Sequence, residues 1–288
     1  MINESVDIRV PGSYEDSEMI TYFPDFKEEF GLTRRPVVLV LPGGGYEYKS
    51  PREGEPIALT FNAMGYAAAV LKYSVVKKNE KGEVIWRPES FDVAFKEVGK
   101  AVHFLRENAD KYGLLADAVI ICGFSAGGHL ACAYSLLYKK LEIAKALGLS
   151  EDKEKSLRPD AMILGYPVIT SGEYAHRGSF VNLLGDDYDR YLDLVSLEKQ
   201  VTSDAPPAFL WDTFEDGAVP CMNCLLYTES CYKAGVPCEY HMFERGGHGI
   251  ALATEFTEST WLKEKFPEAA VWPELAKHWL NLRFSLKK

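Results

Sequence analysis

The stretch Ile120–Leu130, reading Ile-Ile-Cys-Gly-Phe-Ser-Ala-Gly-Gly-His-Leu, constrains this chain more than any other. A short apolar run, Ala118 to Cys122, leads into Gly123-Phe124-Ser125-Ala126-Gly127, and an alanine-rich helical pattern follows. That order predicts a strand, a tight turn with serine at its apex, and a helix. Such a turn holds the serine in a strained backbone conformation, and small residues at the two glycine positions let strand and helix approach closely. The hydroxyl is then lifted clear of the sheet, and the N–H of Ala126 points toward an incoming oxyanion. A glycine-rich turn could also do no more than pack a helix on a strand; the position between a strand and a helix favours the nucleophile.

Apolar periodicity supplies the surrounding sheet. Pro36 to Leu41, Tyr66 to Tyr73, Ala161 to Tyr166, Ala208 to Trp211 and Glu239 to Phe243 read as strands, preceded by an alternating run at Val6 to Val10. Pro51 to Met64 reads as a helix stopped by Gly65. Phe91, Ala94, Phe95, Val98, Ala101, Val102 and Leu105 follow a helical period, with Asp92 suited to the dipole at its start and His103 near the apolar face. Helices are also expected at Met222 to Ala234 and around Trp272, Leu275, Trp279 and Leu280. Strands alternating with helices imply a mainly parallel sheet covered on both faces. Thr21 to Phe30 is expected to wrap the sheet edge, and Lys77 to Arg87 to form an exposed loop. Pro167 to Thr202 has no sustained period and is expected to be an irregular partial cover over the active site, with His176 and Arg177 read as solvated loop residues.

Composition narrows the function classes. The 288 residues suffice for one α/β domain, and 47% hydrophobic with 26% charged residues is a globular profile. A net charge of −10 argues against a nucleic-acid surface. Met1 to Val10 carries no basic-then-apolar signal, and the apolar runs near Val37 and Ala67 are too short to span a membrane, so a cytoplasmic enzyme is expected. Six cysteines occur; Cys221-x-x-Cys224 lacks a second pair at zinc spacing and falls in a helical pattern, so structural thiols and no metal or organic cofactor are expected.

Pro42-Gly43-Gly44-Gly45-Tyr46 follows a strand and leaves backbone N–H groups free for an anion. No Gly-Lys-Ser/Thr follows, which argues against a phosphate loop; given the serine turn downstream, the other half of an oxyanion hole is the better reading, with an ordinary flexible turn as the alternative. A serine hydroxyl needs a general base held by a carboxylate. Among six histidines, only His248 sits in a glycine-rich loop just after a strand; His129 lies on the helix behind the serine and reads as shaping the site, His241 belongs to a strand and His278 to the last helix. For the acid, Asp216 is chosen, with Asp212 in reserve and Glu215, read as solvated, third. Tyr46, Tyr166 and Trp211 are candidate pocket residues.

Pro42 to Tyr46, Gly123 to Leu130, Asp216-Gly217-Ala218-Val219-Pro220 and Gly246-Gly247-His248-Gly249 together resemble the α/β-hydrolase superfamily, in the acetyl esterase and acetylxylan esterase-like branch related to the hormone-sensitive-lipase-like esterases. The resemblance runs from about Pro36 to the end of a chain read as one domain, 1–288. It implies Ser125 as nucleophile, Asp216 as orienter, His248 as base, and the N–H groups of Gly43 or Gly44 with Ala126 as oxyanion hole. Pro42 stands where related esterases often carry histidine, which leaves a backbone oxyanion hole intact. The expected activity is removal of a small acyl group, acetyl above all, from a carbohydrate or similar small-molecule ester. An amidase, aryl-formamidase or small peptidase with the same triad is the alternative. A non-catalytic binding protein on this fold is a third reading.

Overall fold

Residues 1–25, 34–260 and 265–284 are described by the computed structural model, so the part of the expected edge segment at 26–30 lies outside the described residues. The chain opens with β1 (Ser5–Val6), β2 (Glu18–Tyr22), β3 (Arg35–Leu41), α1 (Glu55–Ala63) and β4 (Ala67–Lys72), then a small ribbon of β5 (Lys77–Lys78) and β6 (Val84–Trp86). Next come α2 (Val93–Glu107), α3 (Ala109–Tyr112), β7 (Leu114–Phe124), α4 (Ser125–Leu137), α5 (Ile143–Ala146) and β8 (Ala161–Gly165). The remainder forms α6 (Arg177–Leu184), α7 (Tyr188–Tyr191), β9 (Ala208–Thr213), α8 (Met222–Ala234), β10 (Cys238–Phe243) and α9 (Trp272–Asn281).

Eight strands make one sheet in the order β1-β2-β4-β3-β7-β8-β9-β10. Every neighbouring pair from β4 to β10 is parallel, and β2 and β1 extend the edge antiparallel. Side chains alternate across a strand, so Val37, Leu39 and Leu41 of β3 enter a core shared with α2, α4 and α8. Val38 and Val40 enter the opposite core, closed by α1 and α9. The expected mainly parallel α/β sheet with helices on both faces is thus present.

The chain leaves β3 for β4 on one side and returns to β7 on the other. Such a reversal opens a crevice at the carboxyl ends of the two strands. The register pairs Leu41 with Gly123, which sets Pro42-Gly43 beside Phe124-Ser125.

Three segments differ from expectation. The first strand is shorter than Val6 to Val10 because the Asp7 carboxylate takes the Arg9 N–H and the Ser13 hydroxyl takes that of Val10, turning the chain. Lys77 to Arg87 closes into the β5–β6 ribbon, its turn held by the Asn79 side chain, which accepts from the N–H groups of Lys81 and Glu83. Pro167 to Thr202 contains α6 and α7; α6 starts where His176 Nδ1 caps the Ser179 N–H, a helix too short to leave a period.

Candidate active site

Phe124 ends β7 in extended conformation, and Ser125 takes φ +51° as α4 begins. A non-glycine residue there costs about 1–3 kcal/mol, maintained only by the packing around it. That packing is close: a Cβ at Gly127 would lie 2.2 Å from Leu41 O, and one at Gly123 would lie 2.3 Å from Gly127 O. The two glycines let α4 lie against the ends of β3 and β7, which drives Ser125 into the crevice.

The loop after β10 brings His248 to it. Its Nε2 is 2.7 Å from Ser125 Oγ, and its Nδ1 is 2.7 Å from Asp216 Oδ2. An ionised carboxylate only accepts, so Nδ1–H donates to Asp216 and Nε2 is left to accept the serine proton. The Asp216 side chain is fully buried, with Oδ1 accepting the N–H groups of Ala218 and Val219, each at 2.9 Å. The histidine loop is pinned separately: the Thr213 hydroxyl donates to Gly246 O, and Glu215 accepts the Gly246 N–H. Glu215, exposed as expected, also steadies this loop.

The glycine loop after β3 requires one correction. Gly43 N–H donates to Glu53 Oε2 at 2.8 Å, so it is not open to a substrate oxyanion. Gly44, which lines the cavity with Ser125, has no protein acceptor for its N–H among the described residues. Ala126 N–H belongs to the first turn of α4, where helical N–H groups have no intrahelical partner. The pair available to an oxyanion is therefore Gly44 and Ala126. Glu53 itself is buried, and its Oε1 accepts from the Tyr166 hydroxyl at 2.6 Å; that hydroxyl in turn accepts the Ala251 N–H. One carboxylate thus ties the glycine loop to the histidine loop.

Tyr46, Tyr166 and Trp211 are buried, and none of them lines the cavity among the described residues. The Tyr46 hydroxyl bonds His129 Nδ1, Tyr166 packs its ring 5.1 Å from that of His248, and Trp211 stacks on Trp272. These aromatics support the site from behind, with their side chains in the two cores. His129 Nε2 donates to Val195 O, and burial pushes its imidazole down to about 4, so it remains neutral and joins α4 to the cover. Asp212 bonds the Tyr240 hydroxyl instead of His248. His241 pairs with Glu239, His278 is exposed on α9, and all six cysteines are free thiols. Among the described residues no group of three or more His, Cys, Asp or Glu could hold a metal ion.

The crevice above Ser125 encloses about 470 Å³. Besides Ser125 and His248 it is lined by residues that sequence reasoning did not single out for the site, chiefly Glu47, Tyr48, Arg52, Glu53, Lys78 and Asn182. His176, expected in solvent, also lines it, while Arg177 is exposed elsewhere. Nothing local in the sequence marks these positions, since the tertiary fold alone brings their segments together.

A parallel sheet with a serine turn at the end of a central strand and a histidine loop after the last strand defines the α/β-hydrolase fold of esterases. Residues 25–230 match the BD-FAE family, and the chain belongs to it. Over almost its whole length it is similar to the carboxylesterase Cest-2923 of Lactobacillus plantarum, with TM-score 0.81, 27% identity and 98% of each chain covered. It is also similar to the acetyl ester-xyloside bifunctional hydrolase of Caldicellulosiruptor lactoaceticus, with TM-score 0.77, 28% identity, and 97% of this chain and 96% of that one covered. In sequence it is 35% identical over 229 residues to Endo-1,4-beta-xylanase B of Butyrivibrio fibrisolvens, covering 79% of this chain and 34% of that protein. The chain spans between 34% and 51% of the length of the curated relatives it matches. Among the described residues no helix is long and apolar enough to cross a membrane.

Proposed function

We propose that this chain is a serine carboxylesterase that removes small acyl groups, acetyl above all, from carbohydrate alcohols through a Ser125-His248-Asp216 triad. The observation that carries this reading is the continuous hydrogen-bonded path from Ser125 Oγ through the His248 ring to the buried Asp216 carboxylate. Ser125 Oγ attacks the acyl carbonyl while His248 Nε2 takes the hydroxyl proton, and the oxyanion is met by the N–H groups of Gly44 and Ala126. Collapse expels the alcohol, which leaves with the proton from His248. Water then adds to the acyl-serine, giving its proton to His248, and the acid departs as Ser125 recovers its hydrogen. Among the described residues Tyr48 and Val181 are the large apolar members of a lining otherwise rich in charged and polar groups, which suits a short acyl chain and a hydrophilic alcohol. The similarity to the acetyl ester-xyloside bifunctional hydrolase supports the same reading.

The test is hydrolysis of p-nitrophenyl esters of increasing chain length by wild type and Ser125→Ala. Activity should be highest on acetate, fall with length, and drop by at least about 10⁴-fold in the variant. Ester cleavage that persists in Ser125→Ala would sink the reading, as would preference for long chains. Activity confined to N-formyl aryl amides or aminoacyl amides would transfer the same triad to an amidase.

A further inference from the structure

One wall of the cavity carries polar groups that no step of this reaction uses. In β5, Lys77 pairs with Asp16, and Lys78, which lines the cavity, pairs with Glu47, whose Oε2 is 2.6 Å from Lys78 Nζ. Asn182, on α6, donates from Nδ2 to Gly45 O at 2.8 Å and stands 3.4 Å from the same Glu47 oxygen. Arg87 fastens the ribbon to α6 by donating to Asn182 O at 2.7 Å. Three separate segments thus hold an ammonium and a carboxylate in fixed register on the cavity wall.

His176 adds a donor. Its Nδ1 receives the backbone N–H of Ser179 at 3.3 Å and the Ser179 hydroxyl at 2.9 Å. A backbone N–H can only donate, so the ring proton of neutral His176 sits on Nε2, which has no protein partner among the described residues. Burial, and His248 nearby, hold this imidazole below its ordinary range, which keeps it neutral. Tyr48 also lines the cavity and is 57% exposed.

We infer that this wall is the subsite for the alcohol half of the ester and that it takes an uncharged, polyhydroxylated ring. Each sugar hydroxyl both donates and accepts; Glu47 supplies acceptor oxygens, Lys78 and His176 supply donors, and Tyr48 offers an aromatic face for the ring's C–H surface. Lys78 and Glu47 neutralise one another, so the wall has no excess charge to draw a carboxylate or an ammonium. An apolar alcohol would desolvate the pair and return no hydrogen bonds. Lys78, Glu47 and His176 are thereby specificity-determining residues, an assignment that rests on the esterase reading above.

The experiment compares wild type with Lys78→Met, Glu47→Gln and His176→Phe on acetylated xylo-oligosaccharides and on p-nitrophenyl acetate. Unacetylated xylotriose is added as a competitor of p-nitrophenyl acetate. The ratio of kcat/KM for the sugar ester to that for p-nitrophenyl acetate should fall about tenfold or more in Lys78→Met and Glu47→Gln, chiefly through KM, with a smaller fall in His176→Phe. Xylotriose should inhibit wild type competitively and inhibit the variants less. An unchanged ratio in all three variants overturns the inference, as does an equal loss on both esters, which would mean the wall only supports the fold. If wild type cleaves p-nitrophenyl acetate through Ser125 but neither cleaves the sugar ester nor binds xylotriose, the subsite falls and the esterase reading stands. If no ester is cleaved through Ser125, the esterase reading falls and takes the subsite with it.

Discussion

Asp212, inside β9, and Asp216, four residues on in the loop after it, occupy opposite environments. Asp216 leaves β9 in the loop that faces His248, with both its oxygens held by hydrogen bonds. Asp212 is still inside β9, its Oδ1 bonded to the Tyr240 hydroxyl and its Oδ2 buried with no hydrogen-bond partner among the described residues. Burial pushes the Asp212 carboxyl up to about 7, whereas a carboxylate that orients a histidine must stay ionised. The two asparagine variants should therefore diverge. Asp216→Asn leaves the histidine in the wrong tautomer and should lower kcat on p-nitrophenyl acetate by about 10⁴-fold. Asp212→Asn should keep activity within about threefold, since it touches neither His248 nor Ser125. Comparable losses in both would overturn the assignment of Asp216 as the orienting acid.

Between elements, the site depends on how closely α4 approaches β3. A methyl group at Gly127 would meet the carbonyl oxygens of Leu41 and Pro42 at 2.2 and 2.4 Å, and these are backbone atoms that cannot swing aside. Gly127→Ala should push α4 off the sheet and cost about 1–3 kcal/mol or more. Thermal unfolding should show it as a fall of about 2–5 °C or more. Gly217→Ala, where a Cβ would meet nothing within 4 Å, is the control and should leave the midpoint in place. Equal midpoints for the two variants would mean that the close approach is not what holds the serine turn. The ribbon β5–β6 and helix α6 are elements of another kind. Their sequences carry no period, and they take shape from Asn79 in the turn, from His176 at the helix start and from the bonds of Arg87 across to α6.

On the scale of the molecule, His129 links stability to pH. It is fully buried, accepts from Tyr46 and donates to Val195 O, and its pKa falls from 6.5 to about 4 on folding. A folded value below the unfolded one means the unfolded chain binds the extra proton between them. The contribution is therefore complete above pH 6.5, is lost as pH falls toward about 4, and levels off below that. It amounts to roughly 3 kcal/mol. Urea titrations between those limits should show stability falling as pH falls in wild type and a shallower fall in His129→Asn, which has no ring to titrate. An unchanged slope in that variant would assign the acid sensitivity to other groups.

The same scale separates what was legible in the chain from what was not. Gly123 to Gly127, the strand before it and the glycine-flanked His248 are local patterns. Backbone sterics and apolar periodicity act over a few residues, so the sequence by itself determined the serine turn, the histidine loop and the parallel sheet between them. Sequence position alone favours Asp216 over Asp212; the fold decides it, since Asp212 inside β9 meets Tyr240 and Asp216 in the loop beyond it meets the imidazole. Gly43 and Gly44 look equivalent in sequence; Glu53, ten positions away and buried by the fold, takes one N–H and leaves the other open. Tyr46 and Tyr166, in the turns just past β3 and β8 at positive φ, and Trp211, inside β9, went to the cores because the path of the backbone, not residue type, sets which way a side chain points. The alcohol wall gathers Glu47, Lys78, His176 and Asn182 from three segments with no common pattern. Only the tertiary structure could decide these points, because each is a contact between residues whose separation along the chain leaves no trace in local composition.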